Sequence, residues 1–150
     1  MRELAPLPRD QGKIDTGHLK ILAIFHFVGA GLAVFGILFL FGHYAIMHAV
    51  FTNPEFWEGQ NQTPPPAQIF AMLQWFYVIF AAWFVASGVL NVISGFCLLA
   101  RKHRTFSLVV AGINCLHIPL GTVLGVFTII VLVRDSVREL YEAAPTAGAE

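Results

Sequence analysis

The chain has 150 residues, of which 57% are hydrophobic and 12% charged, with a mean hydropathy of +0.70. A soluble domain carries roughly 25% charged residues, so this chain holds about half the usual share, and its nine basic and nine acidic residues cancel. Uncharged runs cover 21–51, 59–100 and 105–133, and a bilayer span needs about 20 apolar residues. A soluble globular domain, a disordered chain and a disulfide-stapled miniprotein are excluded. The composition is that of a single-domain integral membrane protein whose first partner is the lipid bilayer. No basic cluster is large enough to indicate nucleic acid.

Residues 1–18 read as a short polar tail with Pro6, Pro8, Gly12 and Gly17. The tail is too long and polar, and the following run too long, for a cleaved signal peptide. A first helix is expected near 19–42, with Gly42, His43, Tyr44 and His48 at its interfacial end. Residues 52–67 read as a loop, because Pro64, Pro65 and Pro66 cannot continue a helix. A second helix is expected over 68–100; at about 1.5 Å per residue it reaches about 50 Å, longer than a hydrocarbon core of about 30 Å. The basic turn Arg101-Lys102-His103-Arg104 follows. Cys97 and Cys115 lie in apolar runs, where cysteine behaves as a small hydrophobe.

The run 105–133 admits one span or two. It holds His117-Ile118-Pro119-Leu120-Gly121-Thr122 in its middle, and Arg134 and Arg138 follow it. Basic residues gather on the cytoplasmic side. Arg2, Arg9, Lys13 and Lys20 therefore place the N-terminus inside, and the loop at 52–67, with Glu55 and Glu58 and no Lys or Arg, lies outside. Two helices, near 105–118 and 122–140, return Arg134 and Arg138 to the inside. The expected fold is thus all-α with four transmembrane helices, the third and fourth a short hairpin, and both termini cytoplasmic. Trp75, Tyr77, Trp83, Tyr44 and Trp57 fall where an outer aromatic belt belongs.

Small residues recur at packing spacing: Gly29, Ala33 and Gly36 in the first helix; Ala81, Gly88 and Gly95 in the second; Gly121 and Gly125 in the fourth. Lipid supplies no hydrophobic drive between helices, so close backbone approach supplies the packing energy. Asn91 lies ten residues before Arg101 and Asn114 ten after Arg104, each about 15 Å from the basic turn. On antiparallel neighbours the two amides share a depth and are expected to hydrogen-bond.

His26, His43 and His117 are the weak candidates for a haem or quinone site, since paired histidines between helices supply axial ligands. Their depths, about 9, 34 and 20 Å from the inner charges, do not match. No cofactor and no metal site is expected. His26 instead matches the depth of Ser94 and Thr128 and is expected to bond one of them. No G-x-S-x-G, H-E-x-x-H, CxxC or P-loop occurs, and no catalytic residue is assigned.

The segment R-K-H-R-T-F-S-L-V-V-A-G-I-N-C-L-H-I-P-L-G-T-V-L-G-V-F-T-I-I-V-L-V-R-D-S-V-R-E-L-Y carries a further signal, with Pro119, Gly121, Thr122, Leu124 and Gly125 after the basic turn. It resembles a group of small bacterial membrane proteins of unknown function, and the opening H-L-K-I-L-A-I-F-H also looks like theirs. The resemblance covers about half the chain. It implies four spans in a bacterial inner membrane and brings no assigned reaction. The expected function is non-enzymatic: a small accessory or structural subunit packing against larger membrane proteins or against itself. The alternatives are a haem- or quinone-associated component of an electron-transfer complex, and a small oligomeric channel or carrier.

Overall fold

A computed structural model describes residues 11–60, 62–63 and 65–143. Arg2, Arg9 and Pro64, which the topology and loop readings used, lie outside the described residues. Among these residues all regular structure is helical. In chain order the helices are α1 (Gln11–Thr52), α2 (Pro54–Glu58), α3 (Ala67–Ala100), α4 (Arg104–Asn114), α5 (Leu120–Leu132) and α6 (Asp135–Ala143). α1 and α3 are each long and apolar enough to cross a membrane, and α5 with α6 makes a third candidate if the bent pair counts as one span.

α1 exceeds the expected 19–42 at both ends. Its first turns include Asp15, which is fully buried, so part of the supposed polar tail belongs to the packed helix. Its last turn is closed by Thr52, whose hydroxyl donates to the His48 carbonyl at 2.7 Å. The loop at 52–67 contains α2. Asn53 caps it by accepting from the Glu55 N–H at 3.1 Å, and Pro54 stands at the first helical position, where a missing N–H costs nothing.

The expected helix over 105–118 stops at Asn114. Pro119 disfavours helical geometry at the residue before it, and the Thr122 hydroxyl donates to the Cys115 carbonyl at 2.9 Å, closing the turn between α4 and α5. The expected continuous helix over 122–140 is also corrected. It breaks after Leu132, and α5 and α6 diverge by 72°. The cause is visible at the break. Arg104 Nε donates to the Leu132 carbonyl at 2.7 Å, taking the acceptor that the N–H of Ser136 would use in an unbroken helix.

The described residues form two compact units. One runs to Gly29 and resumes at Leu90, and so contains the start of α1, the end of α3, and α4 to α6. Its buried positions follow helical spacing: Asp15, Leu19, Leu22 and His26 on α1; Asn91, Ser94 and Leu98 on α3; Ser107, Val110, Ala111 and Asn114 on α4; Thr128, Val131 and Leu132 on α5. α6 adds Val137 and Tyr141 to the apolar cluster formed with Leu19, Leu22, Leu98 and Leu132. Isoleucine, phenylalanine and valine side chains meanwhile face outward along α1, α3 and α5. That distribution is compatible with an apolar solvent, in which small and polar residues gain most by turning inward.

The other unit, Ala30–Val89, is an α1–α3 hairpin with α2 at its tip. Only Ala30, Ala33 and Ser87 are buried among its described residues. Tyr44, Tyr77, His43, His48, Phe51, Phe70 and Trp57 make a chain of ring contacts near the tip.

Candidate functional site: a buried polar cluster

Four helices of the first unit each place a polar side chain at one level. α1 supplies His26, α3 Asn91, α4 Asn114 and α5 Thr128, and all are buried. Asn91 Nδ2 donates to Asn114 Oδ1 at 3.0 Å, and Asn114 Nδ2 donates back to Asn91 Oδ1 at 2.8 Å. This is the amide pair that the spacing from the basic turn predicts. His26 Nδ1 lies 2.8 Å from the same Asn91 oxygen. An amide oxygen only accepts, so Nδ1 carries a proton and donates it to Asn91. Nε2 faces Thr128 Oγ1 at 3.4 Å, and that hydroxyl donates to the Leu124 carbonyl at 2.8 Å.

Ser94 or Thr128 was the expected partner of His26; Asn91 is the closer one. The reason is the register of α1. Depth counted from Lys20 puts His26 too shallow, because Arg101 does not lie level with Lys20. Arg101 Nη2 donates to Thr16 Oγ1 at 3.1 Å. Counted from Thr16, His26 is ten residues in, as Asn91 is ten residues from Arg101.

The small residues act within each unit. A methyl group built on Gly29 would lie 3.5 Å from Asn91 Oδ1, an ordinary contact that leaves room for it. On Gly95 it would come within 2.9 Å of the Phe27 ring, and on Gly36 within 2.7 Å of the Phe84 ring. On Gly88 it would meet the Ala33 side chain at 3.3 Å. On Gly121 and Gly125 it would overlap Asn114 O and His117, and Ala111 O and Cys115, respectively. These last two glycines set the α4–α5 separation.

His43 and His117 do not join the cluster. His43 Nδ1 lies 2.6 Å from the Tyr77 hydroxyl, in the second unit and largely exposed. His117 sits in the α4–α5 turn, where its carbonyl accepts from the N–H groups of Gly121 and Thr122. No group of three or more His, Cys, Asp or Glu able to hold a metal occurs among the described residues.

Asp15 is the residue that sequence reasoning missed. It is fully buried, with Arg134 Nη1 at 3.6 Å and His18 Nδ1 at 3.9 Å from one carboxylate oxygen. Its position extends the buried series 19, 22, 26 by one turn, and that periodicity is the signal that could have found it. Ser94 and Ser107 are equally buried, and their hydroxyls have no hydrogen-bond partner in the structure. The arrangement brings polar side chains of four helices together at one level. Neither family models, nor curated proteins, nor solved structures yield a match to this chain.

Proposed function

We propose that this chain is a non-enzymatic accessory subunit of a bacterial inner membrane, with four spans and both termini cytoplasmic, that packs against larger membrane proteins. The observation that carries the reading is the Ala30–Val89 hairpin. Its two helices turn apolar side chains such as Phe35, Phe39, Phe41, Met72 and Phe76 outward on nearly every side. A partner's transmembrane helices can pack on such a surface. The polar side chains of His26, Asn91, Asn114 and Thr128 are already engaged with one another, which favours a structural role for them over a substrate site. The resemblance of the Arg101–Tyr141 segment to small four-span bacterial membrane proteins supports the span count. The charge asymmetry across the loop at 52–67 supports the orientation.

The test is purification of the full chain in mild detergent with a photo-crosslinking residue at Phe39, followed by mass spectrometry. A stoichiometric membrane protein that both co-purifies and crosslinks at that position supports the proposal. A monodisperse lone oligomer points instead to the channel or carrier reading, and co-purified pigment or quinone to the electron-transfer reading.

A further inference from the structure

We infer that His26 is a proton-binding site inside the first unit: its Nε2 binds a proton and donates it to Thr128 Oγ1, while Nδ1 keeps its bond to Asn91. The inference rests on the chain sitting in a bilayer, not on its being an accessory subunit.

Both ring nitrogens face an oxygen placed to accept. Nδ1 lies 2.8 Å from Asn91 Oδ1, which has no proton to give. Nε2 lies 3.4 Å from Thr128 Oγ1, whose single proton already goes to the Leu124 carbonyl at 2.8 Å. A neutral imidazole has one donor and one acceptor nitrogen. With Nδ1 donating, a neutral ring turns the Nε2 lone pair toward the lone pairs of the Thr128 hydroxyl. A proton on Nε2 converts that contact into a hydrogen bond and breaks none of the others. The charged ring thus fits the bonds already made, and the proton ties α1 to α5 as well as to α3.

The amide pair fixes the first of the two acceptors. Asn91 Oδ1 also accepts from Asn114 Nδ2 at 2.8 Å, and Asn91 Nδ2 donates to Asn114 Oδ1 at 3.0 Å. Turning the Asn91 amide alone, so as to offer its NH2 to the ring, would set like groups against like in both bonds to Asn114. The exposed His43 differs, because its partner at 2.6 Å is the Tyr77 hydroxyl, which can give a proton to the ring.

Among the described residues, the polar groups that meet His26 are themselves uncharged. Asn91 faces it from α3 and Thr128 from α5, and Asn114 of α4 reaches it through Asn91; its neighbours one turn away on α1 are apolar. The nearest titratable side chains along these helices are Lys20, six residues before His26, Cys97, six after Asn91, Cys115 and His117, one and three after Asn114, and Arg134, six after Thr128. No Asp or Glu occurs in 21–51, 59–100 or 105–133, so no carboxylate on those runs answers the charge. Two oxygens must hold it, and the Thr128 hydroxyl is the one that gains a bond only with the charged ring. Ionisable side chains buried at membrane depth are costly, and histidine there is characteristic of proton handling.

The experiment is solid-state NMR of the full chain, carrying 15N-labelled histidine, in lipid bilayers from about pH 8 to about pH 4. The His26 signals are those lost in His26→Gln, and His43 serves as the reference. Nδ1 should stay protonated throughout, and Nε2 should pass from unprotonated to protonated as the pH falls. Thr128→Val keeps the shape and removes the hydroxyl; it should weaken proton binding about tenfold, the worth of one hydrogen bond to a charged group. Thr128→Ser should retain the binding. An Nε2 that stays unprotonated across the range would overturn the inference, as would a neutral ring protonated at Nε2 instead of Nδ1. So would a titration unchanged by Thr128→Val, or one weakened equally by Thr128→Ser, which would make packing and not the hydroxyl its cause.

Discussion

Asn91 and Asn114 can be found in the sequence because they are polar residues alone in apolar runs, and their equal distance from the basic turn foretells their meeting. His26 is equally visible, yet its partner is not, because partner choice depends on a register that the Arg101–Thr16 contact sets. Replacing Asn114 with Ala removes both hydrogen bonds between the two amides. The expected loss is about 1–2 kcal/mol of folding free energy in mixed micelles. A double-mutant cycle with Asn91→Ala should be strongly non-additive; additive losses would show that the pair does not couple. Glycines give a sharper contrast. Gly125→Ala drives a methyl into the Ala111 carbonyl and Cys115, so α4 and α5 must separate, and thermal unfolding should come markedly earlier. Gly112→Ala meets nothing within 4 Å and should change stability by less than about 1 kcal/mol.

At the scale of elements, the sequence locates α3 closely, because Pro66 precedes it and a basic turn ends it. It misplaces the ends of α1 and the path after α5. At the end of α5 a side chain reaches across from another helix, Arg104 to Leu132 O. α6 then turns its polar face outward and buries Val137 and Tyr141. Burial pushes the Tyr141 phenol up to about 12, with Cys97 reinforcing the shift and Arg104 and Arg101 opposing it. A raised tyrosine pKa means that folding favours the neutral phenol. This contribution is complete below the ordinary value near 10 and is lost as pH climbs from about 10 to about 12. Tyrosinate absorbance should therefore show one late-titrating phenol, absent in Tyr141→Phe. The phenol oxygen has no hydrogen-bond partner in the structure, so the substitution should leave stability at neutral pH nearly unchanged. A large loss at neutral pH would mean that the hydroxyl holds α6 in place.

For the whole molecule, the orientation argument makes a direct prediction. In intact cells, an impermeant thiol reagent should label a cysteine placed at Thr63 and should fail to label one at Lys102 until the membrane is opened. The reverse pattern would invert the proposed topology. The amino-acid order alone determined the class of protein, the all-helical architecture, the positions of the long apolar helices and the meeting of the two asparagines. Each of these depends on local composition or on distance counted along a helix of constant rise. The tertiary structure alone decided that Asp15 is buried, that His26 chooses Asn91, that α5 breaks from α6, and that Arg101 reaches Thr16. Each of these depends on which helix faces which and at what register. In lipid, small contacts between backbones and single polar bonds set that register, and no periodicity within one helix encodes it.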